Sequence, residues 1–440
     1  MSSKSLFKTP RPANKIIDCD KINEICSLID MDGNIYAKAQ KIKQELIANT
    51  YDKDTLPLLE DIDNMIANGR YTSKEALAND VWLVYRRGGI GGSDASALLG
   101  LSKWNTALSL YYDKIGEKPK ENITTGRQYI FDFGHAMEEF VAKHYEKVFM
   151  QEFKESVELS FSLQYGEDLR ITGCRVFRDT FMYKSPEHPF MRADLDFCVA
   201  LDFNNGKTAT GIFECKTTSP FTIKDDWEVG PPKYYECQTR HYMAVMDYPF
   251  AIIACAADNN ANNYYSHVIF RNKKAEKNLV KEEQIFWNQV QNEVPPFEMG
   301  VDNKDLLLQK SKETSPSLFR DDSPDVTNLI NSYETIDNEV QILKQHLKEA
   351  EAKKNIALSD LLTYMVQSDT NTMETHIGDL IYNCCVKESV RTATNWNKII
   401  STVTDNHPEL QSEIMDLISD NQKVSKSNAL KVIKSQNRNQ

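Results

Sequence analysis

Long apolar runs are missing from this 440-residue chain. The longest, at about residues 250–257, falls well short of the roughly 20 residues a membrane-spanning helix needs. No secretory leader is readable either. The opening Met-Ser-Ser-Lys-Ser-Leu-Phe-Lys has no apolar centre, so a cytoplasmic protein is expected, with no membrane partner. Excess positive charge is also absent. Fifty-two Lys and Arg stand against 64 Asp and Glu, a net charge of −12, which argues against strong non-specific binding of nucleic acid through bulk charge. The nine cysteines form no C-x-x-C pair, so zinc-ribbon and iron–sulfur spacings are not met, and they read as reduced, packed thiols. The glycine-rich stretch at 88–92 lacks both the G-K-[ST] ending of a P-loop and the spacing of a dinucleotide fold.

What is present is an ordinary globular balance, 41% hydrophobic and 26% charged, on a chain long enough for two or more domains. Residues 1–80 read as an N-terminal helical accessory region, polar over 1–14, with apolar stripes such as Ile25, Leu28, Ile29 and Leu58, Ile62, Met65, Ile66. Residues 81–296 alternate helix and strand. Two short helices end near Gly100 and Gly116, and a longer helix covers 132–149 with a stripe of Phe133, Met137, Phe140, Val141, His144 and Val148. Strands are expected over 157–216, near 250–256 and near 264–270. One helix opens after Pro231-Pro232 and another spans 273–292. Residues 297–325 read as a linker. Residues 326–440 read as a long helix plus a small domain, with a strand at 378–386 followed by helices. In the long helix Ile336, Val340, Leu343, Leu347, Ala350, Ala357 and Leu361 keep a 4-3-4-3 spacing, broken by Lys354, as in a coiled-coil arm or helical hairpin. Charge is locally different over 81–130, where seven basic residues face four acidic ones. A focused basic groove is therefore compatible with the acidic whole.

The segment carrying chemistry begins at Phe190-Met191-Arg192-Ala193-Asp194-Leu195-Asp196-Phe197, which alternates as one strand and sets Asp194 and Asp196 on one face. Asn204-Asn205-Gly206 is a hairpin turn, and Glu214-Cys215-Lys216 follows on the returning strand with Glu214 and Lys216 on a common face. The hairpin can gather Asp196, Glu214 and Lys216. Carboxylate oxygens suit Mg²⁺, and a neighbouring lysine can orient or deprotonate a water. A solvated strand pair would show the same alternation. Two further residues sharpen the pattern. Glu138 flanks the apolar stripe of its helix, one turn from Gly134, and Gln238 lies between Tyr235, Tyr242 and Val245, where an amide needs partners.

In order, the motifs resemble the YqaJ-type viral recombinases, relatives of phage lambda exonuclease in the PD-(D/E)XK nuclease superfamily. Trp82-x-x-x-Arg86-x-x-x-Ile90-x-x-Ser93 matches the family's opening. Gly134-x-x-x-Glu138, Asp196, Glu214-x-Lys216 and Gln238-x-x-x-Tyr242-Met243 follow across about 81–292. The resemblance implies an α/β/α nuclease core with a central mixed β-sheet flanked by helices; with the N-terminal helical lobe and C-terminal long-helix extension read from the pattern outside it, the expected fold class is α+β. It implies that Glu138, Asp196, Glu214 and the carbonyl of Cys215 hold Mg²⁺, with Mn²⁺ as substitute, that Lys216 positions the attacking water, and that Gln238 completes the wall. Arg86 and Ser93 would hold the phosphate of a 5′ end. Ser93 would cap the next helix, whose N-terminus favours a phosphate. The implied activity is a 5′-to-3′ exonuclease on linear double-stranded DNA in phage-type recombination. A single-strand annealing protein would receive the product, and a homo-oligomer is expected from the family's rings. Phe197 stands where the family has glycine, and Asp194 competes with Asp196. An endonuclease on the same core, or an inactive scaffold binding DNA or protein, are the alternative readings.

Overall fold

The computed structural model describes residues 6–27, 35–69, 71, 73–118, 125–166, 168–298, 301–304, 306–307, 310, 323–377, 380–392 and 424–436. The chain forms two units, Met1–Ser315 and Pro316–Gln440. The expected linker therefore lies largely outside the described residues.

In the first unit, strand β1 (Asn14–Asp18) leads into helices α1 (Cys19–Ser27), α2 (Ile35–Asn49), α3 (Ile62–Asn68) and α4 (Lys74–Arg87). Ser73 starts α4 by accepting from Ala76 N. Ile22, Ile25, Ile42, Leu46, Ile62 and Ile66 share one buried core with Val81 and Tyr85 of α4 and with Met182. The residues before 81 are therefore packed into the unit that carries the later motifs. Next come α5 (Gly92–Leu98), α6 (Ala107–Lys114) and α7 (Thr125–Val148). The left-handed Gly100 and Gly116, at φ +64° and +78°, follow the two short helices as their spacing predicts.

Helix α7 begins earlier than expected and buries a different stripe. Val141, Ala142, Tyr145 and Phe149 are covered, whereas Phe133 and Phe140 are exposed. Tyr145 decides this, since its ring packs on Phe213 of the sheet at 4.9 Å. A π-helical turn, Phe149–Phe153, then hands over to α8 (Lys154–Tyr165), where strands were expected. Val157, Leu159, Phe161 and Leu163 alternate like a strand. Of the apolar side chains, Val157, Phe161 and Tyr165, one helical turn apart, are buried, while Leu159 and Leu163 face solvent.

Strands β2 (Ile171–Phe177), β3 (Phe181–Lys184), β4 (Arg192–Asp194), β5 (Phe197–Phe203) and β6 (Thr208–Thr217) follow, then α9 (Ile223–Trp227), α10 (Lys233–Met246), β7 (Phe250–Ala256), β8 (Tyr264–Phe270) and α11 (Lys273–Gln291). The main sheet runs β2-β5-β6-β7-β8, with β6 and β7 parallel and the other pairs antiparallel. A small sheet pairs β1-β3-β4. Side chains of the main sheet sort by alternation. Phe213, Cys215, Ile252 and Ala254 face α7 and α8, and Ile212, Ile253 and Cys255 face α10 and α11. The fold is α+β, a mixed five-stranded sheet between two helical layers.

The second unit has a 44-residue helix, α12 (Pro324–Gln367), and an antiparallel sheet of β9 (Thr372–Ile377), β10 (Leu380–Thr392) and β11 (Val424–Gln436). The strand expected at 378–386 falls within β10 from Leu380 onward. Helices expected at 393–423 lie outside the described residues, and 424–436 is a strand instead.

Candidate active site

The run from Phe190 to Phe197 is two strands, not one. β4 pairs with β3 in the small sheet, while β5 pairs with β2 and β6 in the main one. The chain changes sheet at Leu195-Asp196, and alternation across the break no longer holds. Asp194 is drawn toward the N-terminal region. Trp82 Nε1 donates to its Oδ2 at 2.6 Å, and Cys19 Sγ lies 3.7 Å from its Oδ1. Asp196 stands at the open end of β5 and accepts Cys215 N at 3.0 Å.

The Asn204-Asn205-Gly206 turn brings β6 back antiparallel, with Phe197 opposite Phe213. Glu214 and Lys216 then share the face toward α10. Lys216 Nζ donates to Glu214 Oε1, and Gln238 Nε2 donates to the same oxygen at 2.7 Å. Gln238 also reaches the Tyr242 hydroxyl at 3.3 Å, and the Tyr235 ring lies 4.9 Å from Lys216 Nζ. Glu214 is fully buried, and its Oε2 has no hydrogen-bond partner. A buried carboxylate oxygen left open is costly unless something cationic meets it.

Glu138 arrives from the other helical layer. Its backbone carbonyl accepts Cys215 Sγ at 3.3 Å, which pins α7 to the end of β6. Burial first, and then the Asp196 charge, raise the Glu138 carboxyl to about 8. The same two causes raise Glu214 to about 7. Burial pulls Lys216 down, but Glu214 and Asp196 outweigh it and hold its ammonium above the ordinary lysine value.

A cleft of about 670 Å³ joins these elements. Arg86, Ser93, Glu138, Asp196, Gln238 and Tyr242 all line it, whereas Glu214 and Lys216 lie behind and connect through Gln238. Its far wall comes from the N-terminal region: Ile22 and Asn23 of α1, and Glu75, Ala78 and Asn79 of α4. That region, in which the sequence showed no chemistry, therefore shapes the cleft.

Arg86, in the last turn of α4, donates to Ser93 Oγ and, at 3.3 Å, to Asp94 Oδ1. Lys114 Nζ binds Asp94 Oδ2 at 2.8 Å, and Gly91 N donates to the same oxygen at 2.9 Å. Burial pushes Asp94 up, yet Lys114 and Arg86 hold it well below the usual carboxylate range. The N-cap of α5 is Gly91, whose backbone N–H donates to Asp94, so Ser93 sits inside the first turn and does not cap the helix. The glycines serve close packing. A Cβ on Gly92 would lie 2.5 Å from the Tyr242 ring and 3.0 Å from Gln238 Cγ. Gly92→Ala should displace both, costing about 1–3 kcal/mol. The measurements are a thermal melt and the cleavage rate; an unchanged Tm would contradict the packing.

Do these residues fit a divalent cation? Among the described residues, no three His, Cys, Asp or Glu converge as a ready ligand set. The open Glu214 Oε2 and the mutual repulsion of Glu138, Glu214 and Asp196 nevertheless describe oxygens short of positive charge. That chemistry fits a hard cation drawn in by modest side-chain movement.

Residues 81–249 match the model of the YqaJ-like viral recombinase domain. Over those residues the chain is similar to that family. The uncharacterized protein YqaJ of Bacillus subtilis (strain 168) is 28% identical over 277 residues, 62% of this chain and 76% of that protein. The crystal structure of LHK-Exo in complex with dAMP, an alkaline exonuclease from Laribacter hongkongensis, is 15% identical, with a TM-score of 0.34 over 53% of this chain and 98% of that one. A phage related exonuclease from Haemophilus somnus 129PT is 16% identical, with a TM-score of 0.30 over 47% and 96%. The likeness to the family rests on the sequence match.

Arg86, Ser93, Glu138, Asp196, Glu214, Cys215, Lys216 and Gln238 all fall within the residues that match the family model. Sequence reasoning assigned no role to Trp82, Asp94 and Lys114. The legible signal was Lys114 beside Leu110 and Tyr111 on the buried face of α6, a charge needing a buried partner. Also unassigned was His241, fully buried, which joins Glu283 Oε1 at 2.7 Å and the Arg192 carbonyl at 2.8 Å and so ties α10 to α11 and β4.

Proposed function

We propose that this chain is a Mg²⁺-dependent deoxyribonuclease that degrades one strand of linear duplex DNA from its 5′ end, leaving a 3′-ended strand for an annealing protein. The observation that carries the reading is the shared cleft, in which Arg86 and Ser93 line the same space as Glu138, Asp196 and Gln238.

Each residue has a task its surroundings support. Arg86, anchored by Asp94 behind it, offers guanidinium N–H groups to a terminal phosphate, and Ser93 adds a hydroxyl. Glu138, Asp196 and Glu214 would hold Mg²⁺ or Mn²⁺, with the Cys215 carbonyl beside them. When bound, such a cation supplies stabilisation of charge growing on the phosphate and activation of a water. Lys216 keeps its proton, because the neighbouring carboxylates hold it charged. It therefore donates to and orients a water or phosphate oxygen and does not act as the base. Gln238 fixes Glu214 and Tyr242 fixes Gln238, so the wall keeps its shape as substrate enters.

The test is linear duplex labelled at the 5′ or the 3′ end, with Mg²⁺, next to covalently closed circles. The wild type should release the 5′ label first and leave circles intact, and Lys216→Ala should be slower by roughly a hundredfold or more. Release of the 3′ label first would overturn the polarity. Cut circles would make the protein an endonuclease, and no degradation by the wild type would leave a binding scaffold.

A further inference from the structure

Within the second unit, helix α12 carries an apolar stripe that the other described residues of that unit leave exposed. Leu329, Tyr333, Ile336, Val340, Leu343 and Leu347 follow one another at intervals of four and three, and all six are exposed, Tyr333 by 70% and Leu347 by 59%. The helix is about 66 Å long at 1.5 Å per residue. The stripe keeps the 3.5-residue average of a supercoil, not the 3.6 of a helix lying on a globular core. A 44-residue helix presenting such a seam to water is only half of a structure.

We propose that α12 pairs with α12 of a second copy of this chain as a parallel, in-register, two-stranded coiled coil. The core positions favour this occupant. Setting Tyr333, Val340 and Leu347 at the first core position of successive heptads places Leu329, Ile336 and Leu343 at the second. Val340 at the first core position with Leu343 at the second is the combination that suits two strands. The flanks agree. Glu339 ends its heptad, just before the first core position Val340, and Lys344 follows the second core position Leu343. In a parallel pair in register, Glu339 of one copy meets Lys344 of the other, and symmetry makes that contact twice. Lys354 continues the first core position two heptads beyond Val340. One buried-seam lysine disfavours shifted registers and larger bundles, because only in a pair can its ammonium reach water. The pairing is independent of whether the cleft cuts DNA.

Sedimentation equilibrium of the full chain at micromolar concentration tests it. The wild type should have a mass that is an even multiple of the 50.4 kDa chain, and Leu343→Asp should halve it. A wild type at the mass of one chain, or an unchanged mass in Leu343→Asp, would overturn the proposal. Charge exchange tests the orientation without disturbing the core. Glu339→Lys alone and Lys344→Glu alone should each self-associate roughly tenfold more weakly, since two attractions become two repulsions. Mixed together, the two variants should form heterodimers with wild-type affinity, read by native mass spectrometry. Random mixing would overturn the parallel, in-register pairing.

Discussion

Asp196→Asn should lower Mg²⁺-dependent degradation by about a thousandfold and yet make the metal-free protein more stable at alkaline pH. The same charge produces both effects. Asp196 is, after burial, the main cause raising both Glu138 and Glu214. Because these carboxyls sit at about 8 and about 7, above the ordinary 4.5, the folded chain holds their protons more tightly than the unfolded chain does. The stabilisation is complete below pH 4.5 and is lost as pH rises through 7 and 8. The metal-free wild type should therefore melt at progressively lower temperature between pH 5 and 9. Asn keeps a carbonyl for Cys215 N and removes the repulsion, which should raise Tm at pH 9 by about 2–4 °C and flatten the slope. Mg²⁺ should raise the wild-type Tm most at pH 8–9, where the carboxylates are ionised, and should barely move that of the variant. Cleavage at limiting Mg²⁺ should climb over the same interval. Melts with and without Mg²⁺ across pH 5–9 decide the matter. A variant with the wild-type pH slope would show that Asp196 does not set the charge balance of the cleft.

Asp94→Ala should cost about 3–5 kcal/mol, the range for stranding a buried charge. The side chain of Lys114 is 1% exposed and has Asp94 as its salt-bridge partner. Burial already pulls the Lys114 ammonium below its ordinary value with that partner in place. Adding Lys114→Met should restore most of the loss, leaving about 1 kcal/mol for the cap bond to Gly91 N. Preference for a 5′-phosphorylated end over a 5′-hydroxyl should remain lost in the double variant, because Arg86 has lost its carboxylate anchor. Urea melts and paired digestion rates separate the two effects. If end preference returned together with stability, Asp94 would be only a structural partner of Lys114.

Some of this protein was legible from spacing alone. The hairpin at Asn204-Asn205-Gly206 and the common face of Glu214 and Lys216 follow from turn chemistry and a period of two. The placement of Gln238 against Tyr242 follows from the helical i, i+4 relation. The misread parts are those where local pattern was ambiguous. Val157 to Leu163 alternates like a strand, but packing of Phe161 against Phe203 and Phe250 selects a helix that leaves Leu159 and Leu163 in water.

The sequence by itself determined which side chains share a face within one element, because periodicity is a property of neighbouring residues. Only the tertiary structure decided which elements meet. It broke the chain between Asp194 and Asp196 by assigning β4 and β5 to different sheets. It tied Asp194 to Trp82, 112 residues earlier, and left Asp196 at the cleft. It set Asp94 between Arg86 and Lys114, and made residues before 81 a wall of the cleft. These choices follow from burying apolar surface and pairing buried charge between elements, which local periodicity does not encode.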